Sequence, residues 1–357
     1  MPYSKEEKAA IWLDSFGLDY AKKAGLIALA GSPYEFVRRF AFFRTAAEAA
    51  AGEEACARME RALSEEGYLR GLLEGYARRG IVCVAYPSPQ YPEALRQIPD
   101  PPLVLYCRGN VALLGERKFA VVGSRRTPAL ELAAAERFSA ALSAHFAVVS
   151  GLADGGDTAA LRGALPSGRA ISVLAYGFGH VYPECNAPLL ETIIQGGLAV
   201  TEYLPGEGPR KYRFLERNRL IAGLSEGVLV VSGGLRSGTR STAERAFSYG
   251  RDVFAFPYPL GVEYGAGCND LIKQYAKLTD DLVDIFEVFG INLTETAQEP
   301  LSAPERAVLN ALRGGAAHIA EIAQKSGLAP HELTPVLTLL EMKGRVVSCG
   351  GNRYAPV

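Results

Sequence analysis

The sequence predicts an α/β protein: a doubly wound parallel sheet, preceded by a small helical domain and followed by three helices and a hairpin in winged-helix order. Three observations carry this expectation. From Lys118 onward, short apolar runs at 119–122, 147–149, 171–174, 198–200, 228–231 and 253–256 alternate with amphipathic stretches. That is the rhythm of buried parallel strands joined by crossover helices. Ahead of them, residues 1–80 are rich in Ala, Leu, Glu and Arg, with apolar residues at helical spacing in Ala9, Ile11, Trp12 and Phe16 and again in Phe36, Phe40 and Phe43. Behind them, 304–312, 317–325 and 330–342 read as helices, and Val346-Val347-Ser348 and Arg353-Tyr354 flank the turn Gly350-Gly351-Asn352.

In the helical domain, Gly25, Gly31, Ser32 and Pro33 are the expected stops between helices, and Thr45 is the expected N-cap for further helix over 45–75. A Pro-Tyr segment, Tyr86-Pro87-Ser88-Pro89-Gln90-Tyr91-Pro92 and then Pro99-Asp100-Pro101-Pro102, forbids long helix and bridges into Leu103-Val104-Leu105-Tyr106. The polar run Thr294-Glu295-Thr296-Ala297-Gln298-Glu299-Pro300 reads as a linker. The expected domains are therefore 1–80, 81–290 and 303–357, with 291–302 as linker.

Composition narrows the function. The 357 residues carry 38 Lys or Arg against 39 Asp or Glu, a net charge of -1, so any nucleic-acid surface must be a local patch. No apolar run reaches the roughly 18 to 20 residues that span a bilayer, so no membrane partner is expected. The start, Met-Pro-Tyr-Ser-Lys-Glu-Glu-Lys, lacks the apolar core of a signal peptide, and a cytoplasmic location is expected. The six cysteines are scattered, with no C-x-x-C pair and no histidine at ligand spacing. Neither a disulfide framework nor a metal or other cofactor is expected.

Three glycine loops carry the candidate chemistry. The first strand of the sheet runs into Gly123-Ser124-Arg125-Arg126, and Thr127-Pro128 follow as N-cap and first-turn proline of a helix over 130–142. Free N–H groups and the helix dipole make such a turn an anion site, and Arg125 adds a bidentate donor; alone, the pattern is equally that of a tight turn. Ser150-Gly151-Leu152-Ala153-Asp154-Gly155-Gly156-Asp157 forms the second loop, and the third runs from Ser232-Gly233-Gly234 to Ser237-Gly238-Thr239, before the helix of Thr242. Loops at the carboxyl ends of parallel strands gather in one crevice, so all three are expected to face one ligand. A fourth element, 210–219, holds five basic residues, Arg210, Lys211, Arg213, Arg217 and Arg219, against Glu216, with Tyr212 and Phe214 interleaved. Cations track phosphates and aromatics stack bases, so beside phosphate loops this run favours nucleic acid over a merely solvated helix face.

Absences matter as well. The chain has no G-x-G-x-x-G with its acid and no G-x-x-x-x-G-K-[ST]. Of the four histidines only His180, near Gly177-Phe178-Gly179, falls close to the crevice. With no credible base or nucleophile, binding is expected over catalysis.

At this point a resemblance becomes specific. The ordered set Gly123-Ser124-Arg125, Ser150-Gly151 with Asp157, Tyr182-Pro183 with Asn186, Glu202-Tyr203, Arg217-Asn218-Arg219, Ser237-Gly238 with Thr242-Ala243, and 267–272 resembles the DprA/Smf (DNA-processing protein A) family over roughly residues 80 to 285. The resemblance implies an extended Rossmann-like fold with a SAM-like helical domain in front and a winged-helix domain behind. It also implies a homodimer that binds single-stranded DNA and loads the RecA recombinase during natural transformation, and no established enzymatic activity. By position, Gly123, Ser124 and Arg125 match the family's first phosphate loop, Ser150, Gly151 and Asp157 its second, Ser237, Gly238 and Thr242 its third, and Arg217, Asn218 and Arg219 its basic motif. Lys211 joins them as a phosphate contact, and Tyr212, Phe214 and Phe178 are the candidates for base stacking. Steep salt dependence is expected.

Leu161, Leu215, Ser232, Tyr258 and Tyr275 stand where the family pattern has His, Pro, Glu, Gly and Gly, so an altered pocket floor is expected at Leu161 and Ser232. The run from Gly233 through Thr239 to Glu244 also resembles, with stretched spacing, the loop of LOG-type nucleoside 5′-monophosphate phosphoribohydrolases, which makes hydrolysis the alternative. The apolar Ile272, Tyr275, Leu278, Leu282 and Ile285 form either an interface or core packing. In the terminal domain, six Lys or Arg against four Glu over 304–357 leave protein contact and nonspecific duplex contact both open.

Overall fold

Parallel strands covered by helices on both sides are apolar along their whole length, and the central runs of this sequence behave that way. The computed structural model describes residues 3–291 and 301–356. The stretch Thr294 to Pro300, read as a linker, lies outside the described residues. Among the described residues the main sheet has nine strands: β1 (Val82–Ala85), β2 (Val104–Gly109), β3 (Lys118–Val122), β4 (Ala147–Ser150), β5 (Ala170–Val173), β6 (Leu198–Thr201), β7 (Gly227–Val230), β8 (Asp252–Ala255) and β9 (Lys277–Leu278). Their order is β1-β2-β6-β5-β4-β3-β7-β8-β9. Every residue of β3, β4, β5, β6 and β7 is buried.

From β6 across to β9 the neighbours are parallel. The chain winds from β3 outward through β4, β5 and β6, then returns to β7 beside β3 and winds the other way. The reversal between β3 and β7 opens a crevice at their carboxyl ends, where ligands of doubly wound sheets sit. The parallel sheet that the sequence predicts is extended at one edge by two antiparallel strands. The segment read as a bridge supplies β1 and β2, which pair antiparallel with each other and with β6. Its prolines are confined to the loop between the two strands, where no ladder hydrogen bond is needed.

One face of the sheet packs under the helices Ala129–Leu142, Gly156–Ala164 and Ala187–Gly196, the other under Arg213–Leu224, Gly238–Ser248 and Ala266–Gln274. The first core continues into the N-terminal helices, Lys5–Asp14, Tyr20–Ala30, Pro33–Arg38, Phe40–Ala51, Glu53–Ser64 and Tyr68–Arg78. Ser4 and Glu7 form a capping box at the first of these, and Ser32 with Pro33 starts the third. Two expected signals fail here. Gly25 lies inside Tyr20–Ala30, whose stop is Gly31 at a φ of 84°. Thr45 lies inside Phe40–Ala51, and the break falls at Gly52, φ 96°. Both Gly31 and Gly52 take a positive φ, which glycine adopts without the steric cost of a Cβ. The domain is tied to the sheet by a buried polar chain, in which Tyr106 donates to Asp14 Oδ2 at 2.7 Å and Lys23 pairs with Asp14 Oδ1 at 2.7 Å.

The terminal domain has its own core, built on Val308, Leu312, Ile322, Leu333, Leu337 and Leu340. Its helices are Ala303–Ala311, Ile319–Ser326 and Pro330–Met342, with β10 (Ala317–His318), β11 (Val346–Gly350) and β12 (Arg353–Pro356) in the order β10-β12-β11. The second helix starts two residues later than its periodicity suggests. Ala317 and His318 pair with β12, and His318 Nδ1 then caps the helix by accepting from the Ala320 N–H at 3.2 Å.

The loop after β3 and the helix after β4 touch backbone to backbone at their glycines: a Cβ on Gly156 would stand 2.4 Å from Gly123 Cα. Gly156→Ala is expected to cost about 1–3 kcal/mol, the range for overpacking a tight site. Gly115→Ala, where nothing lies within 4 Å, is the matched control. Thermal unfolding of the two variants checks this, with a drop of several degrees expected for the first only.

Candidate nucleic-acid interface

The three glycine loops converge at the β3–β7 reversal and, with the start of the helix Arg213–Leu224, enclose a cleft of about 290 Å³. Its lining includes Gly123, Ser124, Arg125, Asp157, Phe214, Arg217, Asn218, Ser237, Gly238 and Thr242, all expected from the sequence. Ser150, Gly151, Lys211, Tyr212, Arg219 and Phe178 are not part of that lining.

The floor is made by polar groups facing backbone. Asp157 is buried and accepts from the Gly123 N–H at 3.2 Å and the Ala153 N–H at 3.4 Å, binding the first two loops together. Burial pushes its carboxyl above the ordinary aspartate range, against the pull of the Arg217 charge. Ser150 lies under this floor, its hydroxyl donating to Val121 O at 2.7 Å. Ser232 ties in the third loop: its Oγ accepts from the Ser124 N–H at 3.0 Å and meets Thr127 Oγ1 at 2.5 Å. Thr127 is thus not the expected N-cap. Its hydroxyl turns back to Ser124 O at 2.7 Å, and the helix starts one residue later, with Pro128 at the cap. Leu161, the other altered floor position, is fully buried in the core beneath.

The Arg217-Asn218-Arg219 motif divides its work. Arg217 is only 4% exposed, and its Nη1 donates to Gly151 O at 2.5 Å and to Val173 O. Gly151 leaves the space for it, since a Cβ there would lie 2.5 Å from the same nitrogen. Asn218 donates to Gly238 O at 3.1 Å, so it holds the start of the third loop's helix. Arg219 faces away from the cleft, paired with Glu202 and, at 3.1 Å, with Asp100.

Arg125 is the exposed cation of the lining, and its guanidinium sits 5.8 Å from the Tyr182 ring centre and 5.9 Å from that of Phe214. The two rings meet at 5.3 Å, nearly edge to face. Tyr182, 41% exposed, was not among the stacking candidates from the sequence; only its place beside Pro183 in the motif set drew attention to it. Phe178 presents no face to a base, because its ring is buried in the core with Arg108 over it at 5.7 Å. Tyr212 is exposed but lines a neighbouring groove with Glu207, Glu216 and Asp100, and Lys211 is exposed on the same loop.

Asp157 is the only carboxylate among the described residues lining the cleft. Glu244, the acid of the hydrolase alternative, is exposed outside it and paired with Arg240 at 2.7 Å. No cluster of three His, Cys, Asp or Glu suited to a metal ion occurs among the described residues.

Fold and site together define a doubly wound α/β protein whose glycine loops form a cleft at the strand reversal, with a helical domain before it and a winged helix after it. Comparison with known proteins makes this particular. Residues 82–290 match the family model of DNA recombination-mediator protein A, and residues 293–352 match that of the DprA winged helix domain. The DNA processing protein DprA of Streptococcus pneumoniae is 42% identical over 200 residues, covering 56% of this chain and 71% of that protein. The chain belongs to the DprA/Smf family. The X-ray structure of DprA from S. pneumoniae superposes with a TM-score of 0.66 at 30% identity, over 80% of this chain and 98% of that one. DNA processing protein A from Helicobacter pylori, whose structure is described for its single-stranded DNA binding mode, superposes with a TM-score of 0.54 at 30% identity, over 58% of this chain and 95% of that one.

The two cleft arginines are expected to separate in a stability measurement without any ligand. Arg217→Ala leaves the Gly151 and Val173 carbonyls without their donor and should cost roughly 2–4 kcal/mol, the range for leaving one or two buried polar groups unpaired. Arg125→Ala should stay within about 0.5 kcal/mol of the parent, as an exposed side chain does. Urea denaturation of both variants checks this.

Proposed function

We propose that this protein binds single-stranded DNA in the cleft between β3 and β7 and delivers it to a RecA-type recombinase. The observation that carries the reading is the exposed Arg125, set over the Tyr182 and Phe214 rings at the mouth of a backbone cradle. A guanidinium takes a phosphate and a ring face takes an unpaired base, and that combination suits a single strand whose bases are free to stack. Membership of the DprA/Smf family and likeness to the H. pylori protein support it. Recombinase loading during natural transformation, in the cytoplasm and as a homodimer, completes the proposal. The sheet edge at β9 supports the homodimer, since Leu278, Val283 and Phe247 are exposed there.

Fluorescence anisotropy of a labelled oligo-dT and of its duplex, over a salt series, tests the reading. Preferential single-strand binding is expected. Arg125→Ala should weaken all sequences alike, and the slope of log affinity against log salt should fall by about 1, as for one lost phosphate contact. Equal affinity of parent and variant at matched salt would sink the role of Arg125. A second assay addresses recombinase loading: strand exchange by a RecA-type protein on DNA coated with single-strand-binding protein, expected to speed up with this protein and not with Arg125→Ala.

A further inference from the structure

The cleft is not the only place where an arginine lies over two aromatic rings. In the helical domain the run Arg38-Arg39-Phe40-Ala41-Phe42-Phe43-Arg44 crosses from the helix Pro33–Arg38 into Phe40–Ala51. Phe40 is buried and Phe43 packs partly against the core, as helical spacing requires. Phe42 points outward and is 74% exposed, far more than an isolated core-forming phenylalanine would be.

The arginines around it differ in their partners. Arg38 pairs with Glu35 at 2.6 Å, and Arg44 with Glu48 at 2.8 Å and Glu60 at 3.4 Å. The Arg39 side chain forms no hydrogen bond or ion pair among the described residues; it lies exposed over the rings of Phe42 and Phe43, at 4.8 and 5.2 Å from their centres. Those rings meet edge to face at 5.0 Å. The cleft holds the same three groups: Arg125 over two rings that meet near edge to face, one of them exposed.

We propose that Arg39 and Phe42 form a second single-strand contact, on the helical domain and outside the three glycine loops, taking one phosphate and one stacked base. The inference rests on the single-strand reading of the cleft. Chemistry selects the occupant. An exposed cation beyond ion-pair distance of any described carboxylate, held over an exposed ring, offers charge and a stacking face within one nucleotide's reach, whereas a duplex hides its base faces and a purely apolar partner leaves the guanidinium unanswered. The second contact adds affinity only for a strand long enough to occupy both places.

The full-length protein is titrated with oligo-dT of about six and of about 40 nucleotides, lengths near the low end of and well above the single-strand site sizes of about 4–16 nucleotides. Phe42→Ala is expected to weaken the long oligonucleotide about five- to a hundredfold, as loss of one base–aromatic stack does, and to leave the short one unchanged. Arg125→Ala should weaken both, which separates this contact from the cleft. Phe42→Trp should bind the long strand like the parent. Its added indole emission should be quenched by the long strand, readable because the single native tryptophan, Trp12, is buried. All variants alter exposed side chains, and unchanged melting temperatures verify the fold. Parent-like binding of the long strand by Phe42→Ala overturns the inference, as does a change in sedimentation with unaltered DNA affinity, which assigns the face to a protein contact. Failure of the parent to bind either length overturns both the cleft reading and this one.

Discussion

The cleft depends on two glycines touching. Gly123 closes β3 and Gly156 opens the helix after β4, and between them there is room for no side chain. Their approach brings the Gly156 N–H to Ser124 O at 3.1 Å and the Gly123 N–H to Asp157, so two loops that leave neighbouring strands become one rigid body. The third loop joins through Ser232, whose carbonyl and hydroxyl both accept from the Ser124 N–H. A cradle held this way is already organised, so on the proposed reading little conformational entropy remains to be lost when a phosphate binds.

Buried charge extends the same body outward. Arg217 has carbonyl partners from β5 and from the loop after β4, and shares the floor with Asp157. Two residues along the helix, Arg219 joins Glu202 and Asp100, and beyond them Lys23 and Asp14 carry the polar chain into the helical domain, with Tyr106 donating from β2. Each charge in low dielectric needs an opposite one or several dipoles, and removing one partner strands the other. The helix Arg213–Leu224 is therefore fixed on both sides, by the cleft floor and by the domain junction.

The sequence made the alternation of strands and helices legible because every central strand is buried on both faces and reads as one apolar run. It made the loops legible because glycine is required where backbones touch. The antiparallel β1 and β2 were hidden by the prolines around them. Chain breaks at Gly31 and Gly52 and continuity at Gly25 depend on backbone φ, which composition does not reveal. The expected phosphate-binding set mixed two kinds of residue. A basic run cannot say which arginines meet solvent: Arg217 and Arg219 look alike in the chain, and one supports the floor while the other braces the domain junction. Phe178 and Tyr182 lie four residues apart, and only the fold decides that the first is core and the second faces the cleft.

That division bears on how tightly a strand is held by charge. Of the five cations in 210–219, Arg213 pairs with Glu207 at 3.1 Å, Arg219 with Glu202 and Asp100, and Arg217 with carbonyls. Arg210 and Lys211 remain exposed, with Arg125 across the cleft. Cations already compensated inside the protein release few counter-ions when a phosphate approaches, so they add little to salt dependence. A net charge of -1 and the acidic groove beside Tyr212 add no long-range attraction. On the proposed single-strand reading, affinity comes mainly from backbone donors at fixed positions and from ring faces, which salt hardly screens. On that reading the salt slope is set by the cations of the run and cleft that meet water, Arg125, Arg210 and Lys211, rather than by all five of the run.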